Sequence, residues 1–202
     1  MSLGRPPHAI TVARVQAIEI SLDWRWAPVL MLGTWLLARD VLPARFPSWE
    51  LGTTWLTAVA AVFASELALL LHEFGHALVA QRNGMRVTRI VFHGFHAVTH
   101  IDSDTPPARE TLIALAGPCV NLALALAAWA LRYVLSSSGA LDAFLLMLVL
   151  GNAAAAVLSL VPLGASDGAQ ALGGLRRRRG LLLLEAQVAG QCQNEDDEDQ
   201  KA

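Results

Sequence analysis

Three stretches of this chain, residues 55–80, 111–134 and 141–161, meet or approach the roughly 20 apolar residues that a helix needs to cross a bilayer, and they constrain the fold more than any other feature. Hydrocarbon offers no partner to a backbone N–H or C=O, so such stretches have to satisfy their own hydrogen bonds as helices. A fourth stretch, residues 26–42, is shorter and interrupted by Arg39 and Asp40; it reads as a span with a frayed end. With 54% hydrophobic and 16% charged residues, the chain is too apolar for an ordinary soluble domain. The expected fold class is an all-α polytopic membrane protein with about four transmembrane helices and a short strand-like, membrane-associated segment.

Between the spans the pattern changes. Ala9 to Ile20 alternates apolar and polar residues, which is strand periodicity and not a signal-peptide block. Asn83 to Arg109 is too polar to span, is rich in Val, Ile, Thr and His, and reads as a short strand pair. Three regions follow: residues 1–23, an N-terminal strand-like cytoplasmic segment; residues 24–175, a transmembrane core; and residues 176–202, a basic, amphipathic segment with an acidic tail. The run Gly180 to Gly190 is too short to cross again and is expected as a surface helix, its preceding arginines meeting headgroups. The tail Asn194 to Asp199 is a like-charge block and is expected to be disordered.

Net charge is −2, but its distribution is uneven. Arg5, Arg14, Arg25, Arg82, Arg86, Arg89, Arg109 and Arg176 to Arg179 fall on one side of the expected topology, and Arg39, Arg45 and Arg132 on the other. Positive residues gather on the cytoplasmic side, so a multi-pass protein of the cell membrane with both termini cytoplasmic is expected. Its surroundings are the lipid bilayer, and no nucleic-acid partner is expected. Cys119 and Cys192 are too few for a disulfide framework and are read as inert. Trp24, Trp26, Trp49 and Trp55 are read as interfacial anchors.

One span breaks its own pattern. The run LALLLHEFGHALVAQR, Leu67 to Arg82, places two histidines and a glutamate among apolar residues. His72 and His76 are four apart and share a helix face, close enough to hold one metal ion. Glu73 follows the first histidine, where a metalloprotease has its base. Burying such a trio costs several kcal/mol unless the groups are paired or liganded, so a metal site is the leading expectation and a hydrogen-bonded polar cluster the alternative.

A catalytic zinc site takes three protein ligands and keeps a fourth position open. Outside the helix pair, the candidates for the third ligand are Asp167, Glu66, Asp142, His93, His96 and His100. Pro162 and Gly164 before Asp167 prevent a regular helix and Gly168 after it suits a tight turn, which favours Asp167; its plainer reading is a helix cap. Glu66 lies on nearly the same face as Glu73, and its plainer reading is a hydrogen bond to a neighbouring helix. The three remaining histidines read as an accessory metal or pH-sensing cluster, or more simply as polar strand residues.

HEFGH in the second span, AGPCVN (Ala116 to Asn121) in the third and SLVPLGASDG (Ser159 to Gly168) at the end of the fourth resemble, in order and spacing, the three signature segments of the site-2 protease family of intramembrane zinc metalloproteases. The resemblance covers residues 24–175. It implies one Zn2+ per chain bound by His72, His76 and Asp167, with Glu73 as general base and acid and Asn121 binding or polarising the scissile peptide. The chain departs from the family pattern at Ser159, where Asn is usual, and at Ala165 and Ser166, where Pro and Leu or Met are usual; HGFHAVTH replaces a Gly-Gly loop.

The function implied is an intramembrane zinc metalloendopeptidase that hydrolyses peptide bonds in or near transmembrane segments of membrane-spanning or membrane-anchored proteins, as in regulated intramembrane proteolysis. The alternative is a non-catalytic zinc-binding membrane protein, a pseudoprotease acting through partner binding; an ion-transporting role is a third, weaker reading. An unwound substrate is expected to pair with the strand-like segment Val87 to Ile101, which a proline between Val91 and Ala97 should block.

Overall fold

The computed structural model describes residues 9–15, 17–93, 96–101, 105–136 and 138–199; the side chains of residues 107, 108 and 188–199 are not described. Strands β1 (Ala9–Val15) and β2 (Ile18–Asp23) lead into α1 (Trp26–Leu36), a π-turn (Leu37–Val41) and α2 (Leu42–Arg45). α3 (Leu51–Arg82) is followed by β3 (Val87–Phe92), β4 (Ala97–Ile101), α4 (Pro107–Val134), α5 (Gly139–Leu160) and α6 (Asp167–Asp199).

Among the described residues, three helices are long and apolar enough to cross a membrane: Leu51–Arg82, Arg109–Val134 and Gly139–Leu160. Leu56, Phe63, Leu67, Leu122, Leu126 and Leu158 stand exposed on their outer faces, as lipid-facing residues do. The shorter stretch near residue 26 does not fray at Arg39 and Asp40 as expected. Pro43 has no N–H to give the Arg39 carbonyl and its ring displaces that carbonyl, so the preceding turn widens to a π-turn and the helical path continues to Arg45.

The fold is mostly helical but not all-α. Among the described residues, four strands form one sheet in the order β1-β2-β3-β4, with β1-β2 and β3-β4 antiparallel and β2-β3 parallel. Ile18, Ile20, Val87, Ile90 and Phe92 from this sheet pack with Ala77 and Ala80 of α3 and Ile113 of α4 in the main core. The sheet is thereby seated over the C-terminal half of α3. That helix stops at QRNG: Asn83 Nδ2 donates to the Val79 carbonyl at 2.8 Å, Met85 N to Ala80 O at 3.0 Å, and Gly84 takes φ +80°.

α6 begins after the turn at Pro162, and Ser166 is its cap: the Ser166 Oγ accepts the Ala169 N–H at 3.2 Å and donates to the Val161 carbonyl at 2.6 Å. The cap role considered for Asp167 thus falls to its neighbour. α6 continues to Asp199, so the backbone at Asn194–Asp199 is helical where disorder was expected. Arg5, Gly94 and Phe95 of HGFHAVTH, and residues 200–202 lie outside the described residues, as does the Cys192 side chain.

Candidate metal centre

α3 carries His72, Glu73 and His76 roughly 9–15 Å before its last residue, at 1.5 Å per residue. All three are buried. The imidazoles of His72 and His76 meet edge to face at 82°, with their Nε2 atoms 3.1 Å apart. α6 brings the third group: Asp167 Oδ2 lies 3.2 Å from His72 Nε2 and Oδ1 3.3 Å from His76 Nε2. Tetrahedral ligands at 2.0–2.1 Å from zinc stand about 3.3 Å from one another, so the three donors are spaced as three corners around one ion. Two imidazoles and a carboxylate are a donor set that zinc accepts.

The outer ring nitrogens are held as well. His76 Nδ1 donates to the Ile113 carbonyl at 2.7 Å, which turns its Nε2 lone pair inward. His72 Nδ1 lies 3.0 Å from the Asn121 amide, whose Oδ1 is buried and has no hydrogen-bond partner among the described residues. With the amide turned about Cγ, Oδ1 accepts His72 Nδ1–H and the orphaned acceptor gains a donor; His72 Nε2 is then free to ligate. Burial acts to raise the Asp167 carboxyl, but hydrogen bonds and charge from His72 and His76 outweigh it and hold it at about 2.

Small residues make room for this arrangement. A Cβ at Gly117 in α4 would collide with His76 Nε2 and lie 2.5 Å from His72 Nε2. At Gly75 it would meet Val120 at 2.8 Å, and at Gly168 it would collide with the Leu160 carbonyl. Glu73 belongs to the same cluster, since ligand atoms of His72, Glu73 and His76 all lie within 4.8 Å of one another. Asp167 approaches both Nε2 atoms more closely, however, and the Glu73 carboxylate is turned to β4, where Thr99 Oγ1 donates to Oε2 at 2.7 Å.

The other ligand candidates stand elsewhere. Glu66 accepts the Trp26 indole N–H at 2.9 Å, the neighbouring-helix bond considered for it, so that Trp26 is a partner of α3. Asp142 is paired with Arg132 at 2.6 Å and 3.0 Å at the opposite end of α4 and α5. His93 lies 3.6 Å from Asp23 and stacks on His96, and His100 lies on β4 opposite Arg89. Sequence reasoning missed Gly117, Thr99 and the Ile113 carbonyl. Glycine next to Pro118 in a helix was a visible signal, because helix propensity disfavours both; for Thr99 nothing local was available.

The fold and the buried donor set define a multi-pass membrane protein with a candidate metal centre enclosed by three of its helices. The model of the peptidase family M50 matches residues 60–145, which include HEFGH and AGPCVN and end before Asp167. Among curated proteins, the chain is 31% identical over 129 residues to "Putative zinc metalloprotease Rip3" of Mycobacterium tuberculosis, covering 63% of this chain and 33% of that protein. It is 27% identical over 164 residues to "Putative zinc metalloprotease sll0528" of Synechocystis sp., covering 81% and 43%. The chain therefore spans between a third and somewhat under half of the length of these relatives. Its fold is similar to the solved site-2 protease from Methanocaldococcus jannaschii, with TM-score 0.54 and 19% identity over 82% of this chain and 70% of that one. Over residues 60–145 the chain is thus similar to peptidase family M50, and its fold is similar to that of a site-2 protease.

Proposed function

We propose that this chain carries the catalytic core of an intramembrane zinc metalloendopeptidase that hydrolyses peptide bonds in or near transmembrane segments of membrane-anchored proteins. The observation that supports it best is the convergence of His72 Nε2, His76 Nε2 and Asp167 within 3.1–3.3 Å of one another, beside a glutamate that is left out of the triangle. In this reading His72, His76 and Asp167 hold one zinc ion per chain. When bound, zinc is the Lewis acid that acidifies water and polarises the substrate carbonyl.

The remaining work belongs to the side chains. Glu73 takes the proton of the attacking water and returns it to the leaving amine. Asn121, 3% exposed and committed to His72, acts by orienting that imidazole rather than by touching the substrate. The substrate enters as an unwound segment, because a helical peptide has its carbonyls already bonded. β4 is the edge strand of the sheet and lies beside Glu73, which supports pairing of that segment with β4 by strand addition.

The test is paired: zinc per purified molecule and cleavage of a tagged model transmembrane substrate, for the wild type and for Glu73→Gln. Zinc near one per chain in both, with cleavage in the wild type alone, is the expected result. Zinc in both with no cleavage in either would support a zinc-binding pseudoprotease instead, and absence of zinc from the wild type would overturn the proposed ligand set.

A further inference from the structure

The buried Glu73 carboxylate does not rest free. Thr99 Oγ1 donates to its Oε2 at 2.7 Å and lies 3.4 Å from its backbone carbonyl. Thr99 reaches α3 from β4, and the geometry of that strand fixes how. Side chains alternate along a strand, so Thr99 shares its face with Ala97 and Ile101, both packed against the core over α3, while Val98 and His100 point the other way. Its pairing with Ile90, which is fully buried in β3, holds the register. Thr99 is also β-branched, with few rotamers to choose among, so its hydroxyl is a firm point of attachment.

We infer that Thr99 is a positioning residue for the base, and that through it the edge strand couples substrate docking to the orientation of Glu73. This rests on the reading of Glu73 as general base. One Glu73 oxygen is engaged by the hydroxyl, and the other is left to take a proton. A side chain with three rotatable bonds becomes directed, as a general base within reach of its proton must be. Among the described residues, β4 has β3 on one side and no strand on the other. A substrate strand added at that free edge stiffens the very strand that carries Thr99, so the base is set when the scissile segment arrives.

The test compares wild type, Thr99→Val, Thr99→Ser and Glu73→Gln for zinc content, for kcat and KM on the tagged substrate, and for labelling of Glu73 by dicyclohexylcarbodiimide followed by peptide mass mapping. Valine matches threonine in shape and suits a strand, so β4 is retained. Thr99→Val is expected to keep its zinc and KM and to lose about 10-fold or more in kcat, part of the roughly 10²–10⁴ that a positioned base contributes. Thr99→Ser restores it. Glu73 is labelled several-fold faster in Thr99→Val than in wild type or Thr99→Ser, while labelling of Glu66, held by Trp26, is unchanged. Equal Glu73 labelling in all three Thr99 forms, or a kcat loss that serine does not rescue, overturns the inference. If the zinc-loaded wild type cleaves nothing, the protease reading fails, and the labelling still decides whether Thr99 holds Glu73.

Discussion

At the scale of single residues, the centre depends on what is missing as much as on what is present. Gly117 has no side chain because both imidazoles occupy that space: an added Cβ would lie 2.5 Å from His72 Nε2 and closer still to His76 Nε2. Gly117→Ala is therefore expected to displace the ligands and abolish zinc retention, while alanine, a better helix former than glycine, leaves α4 helical. Zinc content and circular dichroism of the purified protein check this; zinc near one per chain in Gly117→Ala would show that the rings have room to move. Asn121→Ala removes only the partner of His72 Nδ1 and should weaken zinc binding by the 10- to 100-fold typical of such outer contacts. The pair His72 and His76 was legible in the sequence because helical spacing alone brings them together. Thr99 was not, since its contact with Glu73 is made by a strand 26 positions later whose register no local pattern specifies.

At the scale of elements, the two ends of the helical layer differ. One end is built around the metal centre, with α6 anchored to α4 by Thr111 Oγ1 donating to the Ala171 carbonyl at 2.9 Å and by the Arg177–Glu110 pair. Gly174 permits the close approach, because a Cβ there would lie 2.7 Å from Thr111 Oγ1. On another side α1 leans on α3, where the Trp26–Glu66 hydrogen bond closes one end of an apolar groove lined by Leu30, Trp35, Trp55 and Phe63. Hydrogen bonds between helices in a bilayer contribute about 0.6 kcal/mol on average and up to about 1.7. Trp26→Phe should lower unfolding stability in detergent by that much and leave zinc content unchanged, because Glu66 takes no part in the donor triangle. A loss of zinc in Trp26→Phe would mean that α1 packing holds the centre together. The three strongest spans were readable from hydropathy alone; the α1-α3 contact was not, because a tryptophan near a membrane edge has the same sequence signature whether it anchors or bonds a neighbour.

At the scale of the whole molecule, the parallel pairing of β2 with β3 links topology to the membrane. Glu19 pairs with Arg89 and Leu22 with Phe92, so the chain leaves the sheet after Asp23 and has to return to the same layer by Val87. If α3 crosses the bilayer in that interval, the path from Trp26 to Arg45 has to cross it too, in the opposite direction. Those 20 helical residues reach roughly 30 Å at 1.5 Å per residue, the thickness of the hydrocarbon core. Hydropathy does not mark this segment as a span, because Arg39 and Asp40 lie within it, and a pairing between strands so far apart in sequence leaves no local trace. By the positive-inside rule the sheet end is expected to be cytoplasmic, since Arg82, Arg86, Arg89, Arg109 and Arg176 to Arg179 gather there, against Arg45 and Arg132 at the other end. With Cys119 and Cys192 replaced by serine, a cysteine at Ser48 or Ser138 should react with an impermeant thiol reagent in intact cells, and one at Arg86 only after permeabilisation. Labelling of Ser48→Cys and Arg86→Cys from one side would remove α3 as a span, and with it the fourth crossing; the reverse pattern would keep the four crossings and place the metal centre toward the cell exterior.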